Sequence, residues 1–192
     1  MRKVAEEFFR RLQALVDSVE VTDRSGASLT PSEGIAAAGR LIRAQVASGG
    51  RLFFIGNGAN AGIGSHMAAD FSKNAGIPAL TFTDPALLTA IGNDLGFDRV
   101  FAVPLERFAA AGDVLAALSS SGGSPNILRG VEVARAKSCR VVTLSGFAPD
   151  NPLRTLGDIN FYVPQHGYPL VEVVHHALCH CLLESLVNGK PD

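Results

Sequence analysis

No sign of charge dominates this sequence: 17 Lys and Arg stand against 18 Asp and Glu, a net charge of -1 at pH 7. A nucleic-acid backbone would meet no basic field, so nucleic acid is not an expected ligand. Cysteine is scarce. Cys139, Cys179 and Cys181 are odd in number and show neither CxxC spacing nor a disulfide framework, which suits a reducing compartment. Long apolar runs are missing too, since no stretch reaches the roughly 18 apolar residues of a membrane span. Acids at Glu6 and Glu7 stand where a secretory signal would be apolar. These absences predict a soluble cytoplasmic protein with no membrane contact. Repeats, low-complexity tracts and linkers are also lacking. At 192 residues, 47% of them apolar, the chain suffices for one domain with one core and is too short for two ordinary ones.

What is present is an alternation of elements. Val4, Phe8, Leu12, Leu15, Val16 and Val19 recur at helical spacing, so an amphipathic helix over 3–19 opens the chain, suited to packing or subunit contact. Thr22 to Leu29 reads as a loop. Thr30-Pro31-Ser32-Glu33 starts a second helix that should stop at Gly49-Gly50. Apolar runs at 51–55, 78–82, 114–118, 140–144 and 159–163 read as strands. Helical patterns at 62–73, 85–92, 98–110, 125–137 and 169–187 lie among them. Strands without polar alternation, separated by helices, predict an α/β fold with a mostly parallel sheet covered on both faces. In such a sheet, ligands sit beyond the carboxyl ends of the strands. The loops at 56–61 and 119–125 are therefore the candidates.

The second loop, Ser119-Ser120-Ser121-Gly122-Gly123-Ser124-Pro125-Asn126, follows a buried strand and opens a helix. Helix N-termini offer unpaired N–H groups and partial positive charge, and four serine hydroxyls add donors, making a lysine-free phosphate cradle. An ordinary turn with Ser124 as helix cap would use the same residues. The first loop, Gly56-Asn57-Gly58-Ala59-Asn60-Ala61-Gly62, is not GxGxxG and lacks a P-loop lysine, so a dinucleotide site is poorly supported.

Titratable side chains gather on two helices. His66 and Asp70 are four apart and share a face, a pattern more often a simple hydrogen bond than a ligand pair. On the last helix Glu172, His175, His176 and His180 interrupt an apolar surface, with Glu172, His176 and His180 at i, i+4 and i+8. Polar groups on a face due for burial must be paired, bound to a ligand or catalytic. Cys179 and Cys181 cannot both face the side of His180, and both read as core fillers.

Several motifs together resemble the SIS-type phosphoheptose isomerases. GNGANAGIGSHMAADF at 56–71 is similar to that family's GNGGS loop followed by His-x-x-x-Glu, and IGNDLGF at 91–97 to its VGNDxGF. LSSSGGSPNI at 118–127 resembles ISTSGNSxNV. VPQHGY at 163–168, followed by Glu172, His175 and His180, resembles VPxxxx then Gln-x-x-His-x-x-x-x-His. The matches run in order across about residues 50–188. The resemblance implies a single SIS domain over 1–192, with N-terminal helices in 1–48 used in oligomer packing and a sheet core in 50–188. It implies a homotetramer with sites between subunits, and interconversion of sedoheptulose 7-phosphate and a heptose 7-phosphate through an enediol. The family's zinc ligands correspond to His66, Asp70, Glu172 and His180, and its acid/base pair to Asp70 and His180. Substrate would be held by Asn57, Gly58, Asn60, Asn93, Asp94, Ser119, Ser120, Ser121, Ser124 and Glu172.

Four departures mark this chain. Asp70 replaces Glu, Glu172 replaces Gln, Asn60 stands where the family has a phosphate-binding serine, and the stretch from Tyr168 to Glu172 is one residue shorter without the usual Asp-Arg pair. An isomerase of another sugar phosphate, or a relative that binds sugar phosphate without turnover, would also suit these changes. A replication-initiation regulator of that second kind lacks the terminal histidine. His180 is kept here, which favours catalysis.

Overall fold

A computed structural model describes residues 1–189; residues 190–192, the last three of the expected domain, lie outside the described residues. Helix α1 (Arg2–Asp17) leads into a short hairpin, β1 (Glu20–Asp23) and β2 (Ser28–Leu29), then α2 (Pro31–Ala47). The core follows as β3 (Leu52–Gly56), α3 (Ala59–Ala75), β4 (Ala79–Thr81), α4 (Pro85–Asp94), α5 (Ala102–Phe108), β5 (Val114–Ser119), α6 (Pro125–Ala136), β6 (Arg140–Gly146), β7 (Ile159–Val163) and α7 (Tyr168–Asn188).

One seven-stranded sheet runs β2-β1-β7-β6-β5-β3-β4, with β7 to β4 parallel and the hairpin antiparallel on the β7 edge. Side chains of a strand alternate between faces. Leu52 and Phe54, Val114, Ala116 and Leu118, and Val142 and Leu144 therefore pack under α2, α3 and α7. Phe53 and Ile55, Leu115 and Ala117, and Val141 pack with residues of α4, α5 and α6 on the other side. Both faces are covered, so the strands read as unbroken apolar runs.

The hairpin replaces the loop expected over 22–29. Its strands are four and two residues long and mostly polar, with Val21 alone fully buried, too little alternation to reveal a strand. The helix expected over 98–110 is broken into a 3-10 turn at Phe97–Arg99 and α5. Proline is tolerated only in a helix's first turn, so Pro104 fixes the start of α5 close before it.

Helix α7 is long and apolar enough to cross a membrane by length and composition, but half of that window is buried inside the protein. Leu170, Val171, Val174, Leu182 and Leu183 pack into the core, each worth about 2 kcal/mol on full burial. Single net hydrogen bonds contribute about 1 kcal/mol. Packing, far more than polar contact, therefore fixes where the α7 histidines point.

Candidate active site at the switch point of the sheet

From β3 the chain turns outward to β4 through α3; from β5 it runs the other way to β6 and β7 through α6. The carboxyl ends of β3 and β5 are thus the switch point, where an open α/β sheet leaves a crevice. A cleft of about 180 Å³ lies there, lined by Asn57, Gly58, Asn60, Ser119, Ser120, Ser121, Ser124, Tyr168 and Glu172.

Its walls are built by hydrogen bonds between the two loops. Asn57 Nδ2 donates to Asn126 Oδ1 at 2.9 Å, and Asn126 Nδ2 returns a bond to Asn57 Oδ1 at 2.8 Å. Asn60 Nδ2 donates to Ser120 Oγ at 3.0 Å, and Ser119 Oγ donates to Ser124 Oγ at 3.2 Å. Gly122, at φ +64, closes the serine turn with its N–H on the Ser119 carbonyl at 3.0 Å. Away from the crevice, α2 and α4 are capped by the side chains of Thr30 and Asp84. At the crevice α3 and α6 have no side-chain cap, and Ser124 occupies the cap position of α6 without making the cap bond. Ser124 is thus the cap of α6 by position, with its hydroxyl accepting from Ser119 instead of from a first-turn N–H. The positive end of α6 and the serine hydroxyls beside it favour an anion.

A second cleft adjoins the first, lined among others by Phe8, Ile63, Pro169, Glu172, His176 and His180. Glu172 lines both clefts. Helices α3 and α7 pack together here and bring His66, His176 and His180 into one group, with a ligand atom from each within 4.8 Å of the others. Ring centroids are 5.2 Å apart for His66 and His176, 5.4 Å for His66 and His180, and 4.6 Å for His176 and His180. Asp70 Oδ2 lies 3.2 Å from His66 Nε2. Burial pushes the Glu172 carboxyl above its ordinary range, and burial, then the neighbouring His180 and His66, pushes the His176 imidazole down. His176 Nε2 is buried with no hydrogen-bond partner.

Comparison with known proteins decides what this crevice belongs to. The SIS domain family matches residues 7–146. The phosphoheptose isomerase of Solidesulfovibrio magneticus is 37% identical over 174 residues, covering 83% of this chain and 84% of that one. The chain belongs to the phosphoheptose isomerase family of SIS domains. The phosphoheptose isomerase of Citrifermentans bemidjiense is 35% identical over 74% of this chain and 80% of its own. Among solved structures, phosphoheptose isomerase GmhA from Neisseria gonorrhoeae superposes with a TM-score of 0.83 at 27% identity, covering 96% of this chain and 98% of that one. A phosphoheptose isomerase from Francisella tularensis gives 0.79 at 27% identity over 98% of each.

Within this SIS domain the sequence-predicted residues divide. Asn57, Gly58, Asn60, the four serines and Glu172 line one cleft. His66, Asp70 and His180 meet beside it. Asn93 and Asp94 do not join them; they stand exposed at the end of α4, Asn93 Nδ2 donating to Asp94 Oδ1 at 2.7 Å. Among the cysteines, Cys179 is buried as expected with its thiol pushed up to about 12, but Cys181 is exposed, because one step of two residues turns it to the outer face of α7.

One lining residue and one supporting residue lie outside the predicted set. Tyr168, which opens α7, lines the cleft; Asn126 ties the two loops together through Asn57, and an asparagine in each loop is the signal for it.

His175 proves structural. It is fully buried, with Nδ1 3.1 Å from Asn60 Oδ1 and Nε2 3.3 Å from the Ser145 carbonyl. Burial pushes its imidazole down from 6.5 to about 4. Between those values the unfolded chain binds a proton that the folded chain refuses, so folding stability falls as pH drops through that window. The loss is expected to reach about 3 kcal/mol near pH 4. Urea midpoints across pH 4–7 check this, with His175→Gln expected to flatten the slope.

Proposed function

We propose that this chain is an aldose-ketose isomerase that interconverts sedoheptulose 7-phosphate and D-glycero-heptose 7-phosphate. Its relatives carry the name phosphoheptose isomerase, and one observation supports the same chemistry here: Glu172 lines both clefts, standing between the serine turn and the imidazole group. Phosphate would be held by Ser119, Ser120, Ser121 and Ser124 at the N-terminus of α6, with Asn57, Gly58 and Asn60 closing the other wall.

The reaction takes a proton from C1 of the ketose, passes through the enediol, and returns a proton to C2, while O1 becomes the aldehyde oxygen and O2 a hydroxyl. A carboxylate and an imidazole suffice for these transfers. Glu172, its affinity for protons raised by burial, is proposed to serve the two carbons, and His180 the two oxygens. Asp70, to which the family pattern gives the carboxylate's part, lines neither cleft and is proposed to hold His66.

The donor set fits zinc: nitrogen ligands are among its preferred donors, and a buried ring nitrogen stands without a partner in the group. His66 and His180, shared with the family pattern, would hold the ion. Bound there, it would supply electrostatic stabilisation of the negative charge that develops on the substrate oxygens.

A homotetramer and a cytoplasmic setting are proposed along with the activity. The exposed Val4, Phe9 and Val16 of α1 suit subunit contact, and assembly is the route by which Asn93 and Asp94 would reach a neighbour's cleft. Incubating the purified protein with sedoheptulose 7-phosphate and following the aldose by NMR tests the activity, with formation expected and its loss on chelation. Tight binding without any aldose would make this a sugar-phosphate-binding relative instead.

A further inference from the structure

We propose that the metal site of this chain is a three-imidazole site, completed by His176, rather than one that uses the carboxylates at 70 and 172. The inference deepens the isomerase reading and concerns the same crevice. Three features carry it.

The first is composition. Among the described residues, the group whose ligand atoms approach one another closely enough for a shared ion is His66, His176 and His180; neither Asp70 nor Glu172 is in it. The second is the state of His176. Its Nε2 is buried and unpartnered, which for a ring nitrogen forfeits the bond it would make in water. Packing on the sheet side fixes α7 through Val174, Cys179 and Leu183, so His176 is held in that position rather than free to seek solvent. An ion shared with His66 and His180 gives that atom a partner. The third is Asp70, whose Oδ2 contacts His66 Nε2 at 3.2 Å. A carboxylate on a ligating imidazole is the usual support that fixes its ring orientation. Shortening Glu to Asp at position 70 is then no loss, because the residue acts on His66 and not on the ion.

Spacing explains why one helix supplies two ligands. Residues 176 and 180 are one turn apart, on the stripe that also carries Glu172, and α3 crosses that stripe at His66. Three neutral imidazoles would hold an ion without offsetting its charge, a ligand set that catalytic zinc sites use. Glu172 stays free for the substrate.

Zinc titration of the metal-stripped full-length protein against a competing chromophoric chelator tests the assignment, with Co²⁺ absorption as a second readout. Wild type is expected to bind one zinc per chain and to give intense tetrahedral Co²⁺ bands. His176→Ala and His176→Gln should each weaken zinc binding at least ~100-fold and diminish those bands, with Glu172→Gln within about 3-fold of wild type and Asp70→Asn about 10-fold weaker. Both His176 variants are compared by thermal melting, and either one that melts like wild type decides the matter. Unchanged zinc affinity in a folded His176 variant, or a collapse of affinity in Glu172→Gln, overturns the three-imidazole site. Those outcomes with turnover of sedoheptulose 7-phosphate intact would leave the isomerase standing, whereas the expected zinc pattern without turnover would keep the metal site and remove the isomerase.

Discussion

Turnover in Glu172→Gln is expected to fall by ~10²–10⁴, the range that a positioned general base contributes. The exchange is close to isosteric, so the fold and the serine turn should persist and inorganic phosphate should bind within about 3-fold of wild type. Asp70→Asn provides the contrast. Its amide no longer holds the His66 ring as a carboxylate does, so zinc should be lost more easily and much of the rate should return at saturating zinc. Steady-state kinetics at low and saturating zinc, with phosphate titrated separately, distinguish the two carboxylates. A collapse of turnover in Asp70→Asn at saturating zinc, with Glu172→Gln nearly unimpaired, would return the carboxylate's part to position 70.

Gly122→Ala is expected to cost about 4 kcal/mol and to lower the melting temperature by roughly 10 °C. Gly122 sits at φ +64, where a side chain costs about 1 kcal/mol, and a Cβ there would lie 1.8 Å from Asn151 Oδ1. Asn151 cannot move away cheaply. It is buried, its Nδ2 donates to the carbonyls of Gly146 and Ala148 at 3.1 and 2.9 Å, and its Oδ1 accepts from the Arg154 N–H at 3.1 Å. Displacing it takes the Asn151 amide from the buried Gly146 carbonyl and its own oxygen from the Arg154 N–H, at about 1–3 kcal/mol for each group left unpaired, and it opens the turn whose serines would hold phosphate. Gly123→Ala is the control, because a Cβ at that position meets nothing within 4 Å. Thermal unfolding with phosphate titration measures both; an unchanged melting temperature and phosphate affinity in Gly122→Ala would contradict this account of the turn.

Much of this architecture is legible in the sequence because buried parallel strands are apolar on both faces. Runs such as Leu52-Phe53-Phe54-Ile55 and Val114-Leu115-Ala116-Ala117-Leu118 announce themselves, and the loops that follow them are the ones that form the cleft. The β1–β2 hairpin is illegible for the opposite reason. It is held by pairing to β7, Val21 opposite Phe161, and not by a pattern of its own. Histidine positions on α7 show how finely helix phase matters. Residues 175 and 176 differ by one step of about 100°: His175 points into the core against Asn60 and Ser145, and His176 faces His66. The i, i+4, i+8 stripe of Glu172, His176 and His180 marks the site face, while the family's spacing draws attention to His175. What no periodicity reveals is which α3 residue meets that stripe, since the crossing of α3 over α7 is set by core packing around Met67 and Phe71.

The central claim is that Glu172 and His180 move a proton on a sugar whose phosphate is held by the serine turn. Its most direct test is NMR of sedoheptulose 7-phosphate kept with the protein in D₂O through many turnovers. Deuterium should accumulate at C2 of the aldose and C1 of the recovered ketose, and Glu172→Gln should suppress it. Aldose formed with its C2 hydrogen retained wholly as protium, or no reaction of bound substrate at all, would contradict the account.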